Sequence, residues 1–300
     1  MPSPACTGCT PVTCSSWRRP RTTAPTGAFE PCGPSLPRAR TASRPRSCSA
    51  YCSMPDRLLD WLAGHDTVVF DLDGVLVDSN EVKVACMRTA LSDFGTELVE
   101  DFLHEFRRTF GRSRREHFAA FHRDGLGGRG EGPDFEAFWD RYSGRYAALL
   151  AQRYRQAPRC AGAAELVGAL AARGVPLHVA TGTLTAEAEA VLARAGIASH
   201  FRSVRGGERT KARRLAEILG DEGAVVPART VLVGDARQDL LAAAKAGTGF
   251  LFVERYAFFP AGRVLTGPEA IGSHQVWDLT PGTVVSPGAC HDDRPKGTAA

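Results

Sequence analysis

Four short apolar runs that end in polar turns recur in the chain after residue 66. They are Thr67–Phe70, Leu177–Ala180, Thr230–Gly234 and Gly249–Val253, and helical stretches precede the last three, at Ala163–Ala172, Lys211–Leu219 and Leu240–Ala246. Alternating helices and strands form right-handed crossovers and a parallel sheet that is covered on both faces. The sequence therefore predicts a three-layer α/β fold in which ligand chemistry gathers at the carboxyl ends of the strands.

The residues between the first strand and the helix at Ala163 have helical periodicity only. Their most regular pattern, at i, i+3, i+4 and i+7, predicts one packed helical face formed by Phe135, Phe138, Trp139, Tyr142, Tyr146 and Leu149. We predict a small all-helical cap, residues 81–157, inserted after the first strand of a Rossmann-like core, residues 54–80 and 158–282. A further strand is predicted at Gln275–Leu279, and residues 283–300 are predicted to be a loose tail.

The first 53 residues differ in composition from the rest. They contain seven arginines, one acid (Glu30) and six of the nine cysteines, together with many prolines and few apolar residues. Such a segment buries too little apolar surface to offset its ordering entropy, so it is predicted to be disordered. A zinc site is disfavoured because no compact fold separates the cysteine pairs. An organelle transit peptide, or a start-site artefact with the protein beginning at Met54, is an alternative.

Composition excludes two classes of protein. No apolar run approaches the roughly 18 residues that span a bilayer, which excludes an integral membrane protein. The excess of basic residues behind the overall charge of +4 lies in the first 53 residues, and the remaining chain has two more acids than bases. No nucleic-acid partner is therefore predicted. The remaining cysteines, Cys86, Cys160 and Cys290, are far apart, which favours reduced thiols and a cytoplasmic location.

Carboxylates follow two of the predicted strands. Asp71 and Asp73 follow the first strand, and Asp235 and Asp239 follow the strand at Thr230–Gly234. In a pair such as Asp71 and Asp73, one carboxylate can act as nucleophile while the second transfers a proton. Four carboxylates in one crevice repel each other unless a cation is present, and Mg²⁺ with oxygen ligands is the cation that best fits.

Groups that suit a phosphoryl oxygen stand at two other element ends. Thr181 and Gly182 offer a hydroxyl and a backbone N–H after the second strand, and Lys211 offers a positive charge behind the helix-cap candidate Thr210. Lysine is rare in this chain, four residues against 33 arginines, so its position is informative. Asp78 or Ser79 is expected to cap the helix that follows the first strand.

These motifs resemble, in order and spacing, the four motifs of the haloacid dehalogenase-like (HAD) hydrolase superfamily. The resemblance covers roughly residues 66–253, and the helical insertion is similar to that of the phosphoglycolate phosphatase and β-phosphoglucomutase branch. It implies that Asp71 is a nucleophile that forms an aspartyl-phosphate, with Asp73 as acid and then base. It also implies Mg²⁺ as cofactor and a transferring phosphoryl group held by Thr181 and Lys211. The implied metal ligands are Asp71, the Asp73 backbone carbonyl and Asp235, with Asp239 as a ligand or a neighbour of the ligands.

The resemblance implies a Mg²⁺-dependent phosphatase of a small phosphorylated metabolite, of the sugar phosphate or phosphoglycolate type. The presence of Asp73 disfavours the dehalogenases and the phosphonate-cleaving relatives, because both lack this acid. The phosphonate-cleaving relatives also need a lysine in the cap, and the only lysine of the insertion, Lys83, lies directly after the first motif. A phosphomutase remains open because Gly111–Arg114 resembles the β-phosphoglucomutase cap loop, although that group tends to carry a lysine shortly after Thr181. A non-catalytic binding module on a hydrolase scaffold is the third alternative.

One cap residue is predicted to bind substrate. Arg112, together with Arg114 and Arg115, lies between two helical stretches where a loop can reach the crevice. A guanidinium group suits a second anionic group on the substrate. The alternative for Arg112 is an exposed side chain in an arginine-rich protein. The sequence predicts neither the identity of the substrate nor an oligomeric state.

A protein that starts at Met54 is expected to keep the kcat, KM and unfolding temperature of the full chain. The reason is that Leu58, Leu59, Trp61 and Leu62 suffice to cover the first strand, whereas residues 1–53 have no apolar face that packs there. Activity, metal content and thermal unfolding of the two proteins check this. Stoichiometric zinc that is lost with the tail, or a large drop in turnover, would contradict it.

Overall fold

The structure, a computed structural model, describes residues 57–223 and 226–288. The segment predicted to be disordered, with its six cysteines, lies outside the described residues, as does Cys290. In the described part, Cys86 and Cys160 are buried free thiols. No helix among the described residues is long and apolar enough to cross a membrane.

A seven-stranded sheet organises the molecule. Its strands are β1 (Thr67–Phe70), β2 (Leu177–Ala180), β3 (Ser203–Arg205), β4 (Thr230–Gly234), β5 (Gly249–Val253), β6 (His274–Val276) and β7 (Ser286–Pro287). Their order in the sheet is β3-β2-β1-β4-β5-β6-β7, and all neighbours are parallel except the antiparallel pair β6 and β7. The predicted three-layer α/β fold with a parallel sheet is confirmed.

The helices divide into two groups. Those that cover the sheet are α1 (Leu58–Ala63), α6 (Ala163–Ala172), α7 (Thr185–Arg194), α8 (Lys211–Asp221), α9 (Arg237–Ala246) and the short α10 (Ala261–Val264). Those inserted between β1 and α6 are α2 (Asn80–Ala90), α3 (Thr96–Arg108), α4 (Arg114–Ala120) and α5 (Pro133–Arg153). The second group forms the helical insertion that the sequence predicts.

Aromatic side chains hold the inserted helices together. Phe138 of α5 packs against Phe118 and Phe121 with ring centroids about 6 Å apart, and against Tyr142 at 4.9 Å. The buried residues of α5 are Phe135, Phe138, Tyr142, Tyr146 and Leu150. The helical face is as predicted with two exceptions: Trp139 is only half-buried, and Leu150 rather than the half-buried Leu149 closes the face. Burial of these rings supplies most of the driving force for the insertion to pack, since each ring removes a large apolar area from water.

The register of the sheet brings the functional strand ends together. Phe70 pairs with Val179 of β2 on one side and with Val233 of β4 on the other. The residues that follow these strands therefore emerge at one edge, next to the point where the strand order reverses between β1 and β4. Ligands of parallel α/β sheets bind at such a point.

The predicted strands need correction at three places. The strand predicted at Gln275–Leu279 is β6, which begins at His274 and ends at Val276, and the next residue, Trp277, is 60% exposed. Strand β3 was not predicted, since its three half-buried residues at the sheet edge have no apolar run. Part of the segment predicted to be a loose tail also joins the sheet, because Ser286 and Pro287 form β7.

Candidate active site

Three carboxylates meet beyond the ends of the central strands. Asp71 directly follows β1, Asp235 directly follows β4, and Asp239 lies in the first turn of α9; all three are buried. One carboxylate oxygen of each lies within 4.8 Å of the others. Lys211, at the start of α8, forms ion pairs with Asp239 and with Asp71, the latter with an Nζ–Oδ1 distance of 2.9 Å.

A glycine allows this close approach. Gly74 has a φ of +75°, and a Cβ atom on it would lie 2.1 Å from an oxygen of Asp235. The position therefore needs both the left-handed conformation and the missing side chain that glycine provides. Asn80 completes this side of the cluster, since its amide donates to the same Asp235 oxygen at 2.7 Å.

The charges of this cluster are not balanced. Burial raises the pKa of Asp71 to about 6, against the opposing charge of Lys211, and the negative charges of Asp239 and Asp73 add to the rise. Burial, with Asp239 and Asp71, raises the pKa of Asp235 well above its usual range. Lys211 has its pKa raised because its two carboxylate partners outweigh burial.

The cluster fits a bound Mg²⁺. One oxygen of Asp235 is buried without a hydrogen-bond partner among the described residues, and the Oδ1 atom of Asp71 has only the Lys211 ammonium beside it, at 2.9 Å. Buried carboxylate oxygens are costly to leave unpaired, and a hard divalent cation is the group that carboxylates of this kind ligate. Asp71, Asp235 and Asp239 are therefore the residues that would hold it.

Asp73 stands in a separate network of donors. Ser79 Oγ and Tyr154 OH donate to its Oδ1 atom at 2.7 Å and 2.6 Å. Thr183 Oγ1 donates to the other oxygen at 3.0 Å, and Lys83 forms an ion pair there. Burial alone would raise the pKa of Asp73, but the charge and hydrogen bonds of these partners lower it.

Two residues expected at helix caps occupy the N-cap position without a side-chain cap hydrogen bond. Ser79 does occupy the N-cap position of α2, but its side chain makes no cap hydrogen bond, because the hydroxyl is directed to Asp73 instead. Thr210 occupies the N-cap position of α8, also without a side-chain cap hydrogen bond. Ser79 is therefore part of the site rather than only a helix-start residue.

The loop after β2 contacts both the carboxylates and the insertion. Thr181 is fully buried, and its hydroxyl donates to Asp73 at 3.4 Å and accepts from the Thr183 N–H at 3.1 Å. A Cβ atom on Gly182 would lie 2.5 Å from the backbone oxygen of Arg112. The loop at Gly111 and Arg112 of the insertion therefore rests directly on the core, as the sequence predicts.

The insertion closes a cavity of about 30 Å³ over the carboxylates. Arg114, 7% exposed, is one of two buried cations that line it, the other being Lys83. The Arg114 guanidinium pairs with Glu187 of α7 at 2.5 Å and lies 5.0 Å from the Tyr146 ring centre. His117 is also in this wall, and burial lowers its pKa to about 3, with a contribution from the charge of Arg112. A neutral His117 and a charged Arg114 therefore face the cavity at neutral pH.

The structure brings the predicted core residues into one place. Asp71, Asp73, Thr181, Lys211, Asp235 and Asp239 all lie buried around the same crevice, and Gly182 and Arg112 line its upper edge. Asp73 does not contribute a carboxylate to the triplet that fits a metal. Arg112 lines the cavity, but its side chain is exposed.

Sequence reasoning missed Lys83, Tyr154, Thr183 and Arg114 as members of the site. For Lys83 a signal existed, since it is one of only four lysines in an arginine-rich chain and stands ten residues after Asp73. Its helical spacing from the other buried residues of α2 places it on the buried face of that helix. For Tyr154 no sequence signal existed, because it reaches Asp73 from 81 positions away.

A family model for the haloacid dehalogenase-like hydrolases matches residues 65–247. The chain belongs to this family. The predicted family and the predicted phosphatase-type hydrolase are thereby confirmed, and the matched range contains every carboxylate and both lysines of the site.

One curated relative is similar in sequence, and two solved structures share the fold. The phosphoglycolate phosphatase of Synechococcus elongatus is 29% identical over 190 residues, which are 60% of this chain and 79% of that protein. A hydrolase from Pseudomonas syringae superposes with a TM-score of 0.58 and 20% identity, over 72% of this chain and 95% of the other. CbbY from Rhodobacter sphaeroides, in complex with xylulose-(1,5)bisphosphate, gives a TM-score of 0.55 and 18% identity, over 72% and 95%.

Replacing Lys83 tests its pairing with Asp73. Lys83→Met is expected to lower the free energy of unfolding by on the order of 3 kcal/mol, since it leaves a buried carboxylate without its cation, and to reduce turnover. Urea unfolding and steady-state kinetics check this. The control is Lys245→Met, at an exposed position of α9, which is expected to change stability by at most about 0.5 kcal/mol. Equal effects of the two substitutions would contradict the assignment.

Proposed function

We propose that the protein is a Mg²⁺-dependent phosphatase that hydrolyses a small phosphorylated metabolite through a phosphoryl group carried on Asp71. The observation that carries the proposal is the pairing of two buried acids at the end of β1 with distinct surroundings. Asp71 belongs to the carboxylate triplet with Lys211, and Asp73 belongs to the donor network of Ser79, Tyr154 and Lys83. Two acids in different environments are what nucleophilic and proton-transfer roles require.

The first role falls to Asp71. As an anion, Asp71 attacks phosphorus with a carboxylate oxygen. The bond from phosphorus to the leaving oxygen of the substrate breaks, and its electron pair goes to that leaving oxygen. Bound Mg²⁺ supplies positive charge that offsets the repulsion between the carboxylates and the phosphoryl group. Lys211 and the Thr181 hydroxyl lie beside Asp71 and Asp73 and are positioned to hold the phosphoryl oxygens, where charge stabilisation is the main catalytic contribution.

The second role falls to Asp73. Its hydrogen bonds to Ser79, Tyr154 and Thr183 fix the carboxylate in one orientation. A carboxylate in this state can accept a proton from water that attacks the phosphoryl group on Asp71. In the preceding step the same side chain would pass a proton to the leaving oxygen. Because Lys83 and the hydrogen-bond donors outweigh burial and lower the pKa of Asp73, that proton would enter with a monoprotonated phosphate group of the substrate. The rigid network supplies the positioning that proton transfer requires.

The cavity argues for a small substrate and a moving cap. Its volume of about 30 Å³ holds about two water molecules, so we expect the insertion to move away from the core when a phosphorylated metabolite enters. The wall combines the Arg114 guanidinium with the rings of Phe106 and Phe110. These groups fit a short carbon skeleton with a second polar or anionic group, which supports a sugar phosphate or a phosphoglycolate-type substrate.

The Asp71→Asn variant is expected to lose turnover by at least about a thousandfold, because an amide is not an anionic nucleophile. Incubation with EDTA is expected to abolish turnover reversibly, with Mg²⁺ restoring it. A phosphatase assay over a panel of phosphorylated metabolites measures both. Asp101→Asn, at an exposed position of α3, is the matched control and should behave like the unmodified protein. Appreciable turnover of Asp71→Asn or of the EDTA-treated protein would remove the proposed mechanism.

A phosphomutase is the alternative within the same family. Product analysis with a hexose 1-phosphate separates the two activities, since only a mutase returns an isomeric phosphate rather than inorganic phosphate. The proposal of a phosphatase requires inorganic phosphate as the product. A binding module without catalysis would give neither product.

Arg112→Ala is expected to raise KM about tenfold, which corresponds to roughly 1.4 kcal/mol of lost binding, if its guanidinium holds an anionic group of the substrate. Steady-state kinetics with the best substrate of the panel measure this. Arg115→Ala is the control, since Arg115 is exposed and paired with Glu136. An unchanged KM would assign Arg112 to the surface and leave Arg114 as the cation of the substrate cavity.

A further inference from the structure

A second cavity, of about 260 Å³, lies where the insertion joins the core. Three arginines from three different segments line it. Arg155 comes from the turn that ends the insertion, Arg159 from the linker that returns to the core, and Arg194 from the last turn of α7. This cavity shares no lining residue with the cavity over the carboxylates.

The three guanidinium groups are not neutralised. Most arginines of the described residues pair with a carboxylate, as Arg114 does with Glu187, but none of these three does so within residues 57–223 and 226–288. Arg159 uses one N–H to bond the Ala195 carbonyl at 3.2 Å, and no other hydrogen bond of the three side chains exists in that part of the chain. The three side chains are exposed, so solvent screens their mutual repulsion, but their N–H donors are free to form charge-assisted hydrogen bonds with a bound anion.

The position of the cavity connects it with the active site. The two chain segments that link insertion and core run side by side here, with Asp78 N–H donating to the Pro158 carbonyl at 2.9 Å and Cys160 N–H to the Leu76 carbonyl at 3.1 Å. Arg155 directly follows Tyr154, whose hydroxyl donates to Asp73. An anion in this cavity would therefore contact both the insertion and the core. Its contact in the insertion, Arg155, is the residue next to Tyr154, which is a hydrogen-bond partner of Asp73.

We propose that this cavity binds a small anion of the diphosphate class, distinct from the substrate. Guanidinium groups present paired N–H donors that match phosphate oxygens, and three of them suit a ligand with two phosphoryl groups. The three arginines are exposed, and they come from separate segments that converge on one depression rather than forming a stripe along the surface, which favours a small molecule over a nucleic acid. Its binding would hold Arg155 of the insertion against Arg159 and Arg194 of the core.

The test is isothermal titration of the full chain with methylenediphosphonate in EDTA. Without a metal, the carboxylates of the active site repel this probe, so the result does not depend on the proposed catalytic function. One probe is expected to bind per chain and to raise the unfolding temperature. The variant Arg155→Ala/Arg159→Ala/Arg194→Ala is expected to bind at least about tenfold more weakly, because three charge-assisted contacts are removed.

The matched control is Arg108→Ala/Arg141→Ala/Arg213→Ala, which removes the same charge from exposed positions elsewhere and is expected to bind like the unmodified chain. Absence of binding to the unmodified chain, or equal weakening in both triple variants, would overturn the proposal. If the first triple variant fails to fold, Arg194→Glu, at the exposed end of α7, replaces it. Unchanged affinity of Arg194→Glu would then overturn the proposal.

Discussion

Repulsion between buried carboxylates is the constraint on which the rest of this structure depends. Asp71, Asp73, Asp235 and Asp239 all lie at the carboxyl ends of two adjacent parallel strands, each at most 3% exposed. Because β1 and β4 pair in a fixed register, the carboxylates that follow these two strands cannot move apart. The surrounding fold must therefore supply positive charge and donors, or the acids would be protonated.

Two lysines supply that charge, and they separate Asp73 from the other acids. Lys211 of the core joins Asp71 and Asp239, whereas Lys83 of the insertion joins Asp73. An ammonium is a compact charge, which fits a crowded crevice better than a planar guanidinium. This explains why an arginine-rich chain places lysine at these two positions. It also means that Asp73 has all its ion-pair and hydrogen-bond partners only when the insertion is packed on the core, because Lys83 and Tyr154 both come from segments of the insertion.

The sequence was sufficient for the fold and for the core of the site, because both are encoded locally. Strand β1 is a continuous apolar run, and its acids follow at fixed spacing, so the parallel sheet and the carboxylate crevice could be predicted from β1 and β4 alone. The partners of Asp73 could not be predicted from the sequence. Ser79 has the position of a helix cap, and only the three-dimensional structure shows that its hydroxyl points to Asp73. Arg112 and Arg114 are indistinguishable in the sequence, and only packing against Tyr146 shows that Arg114 is the buried one.

The central claim is that Asp71 carries the phosphoryl group during turnover. Rapid acid quench of a reaction with the best substrate, followed by mass spectrometry of the peptide containing residues 67–83, tests it most directly. The account predicts a transient gain of one phosphoryl group on Asp71, absent from Asp71→Asn and absent when substrate is omitted. Turnover that proceeds with no phosphorylated Asp71 at any quench time, or with the phosphoryl group on another residue, would contradict it.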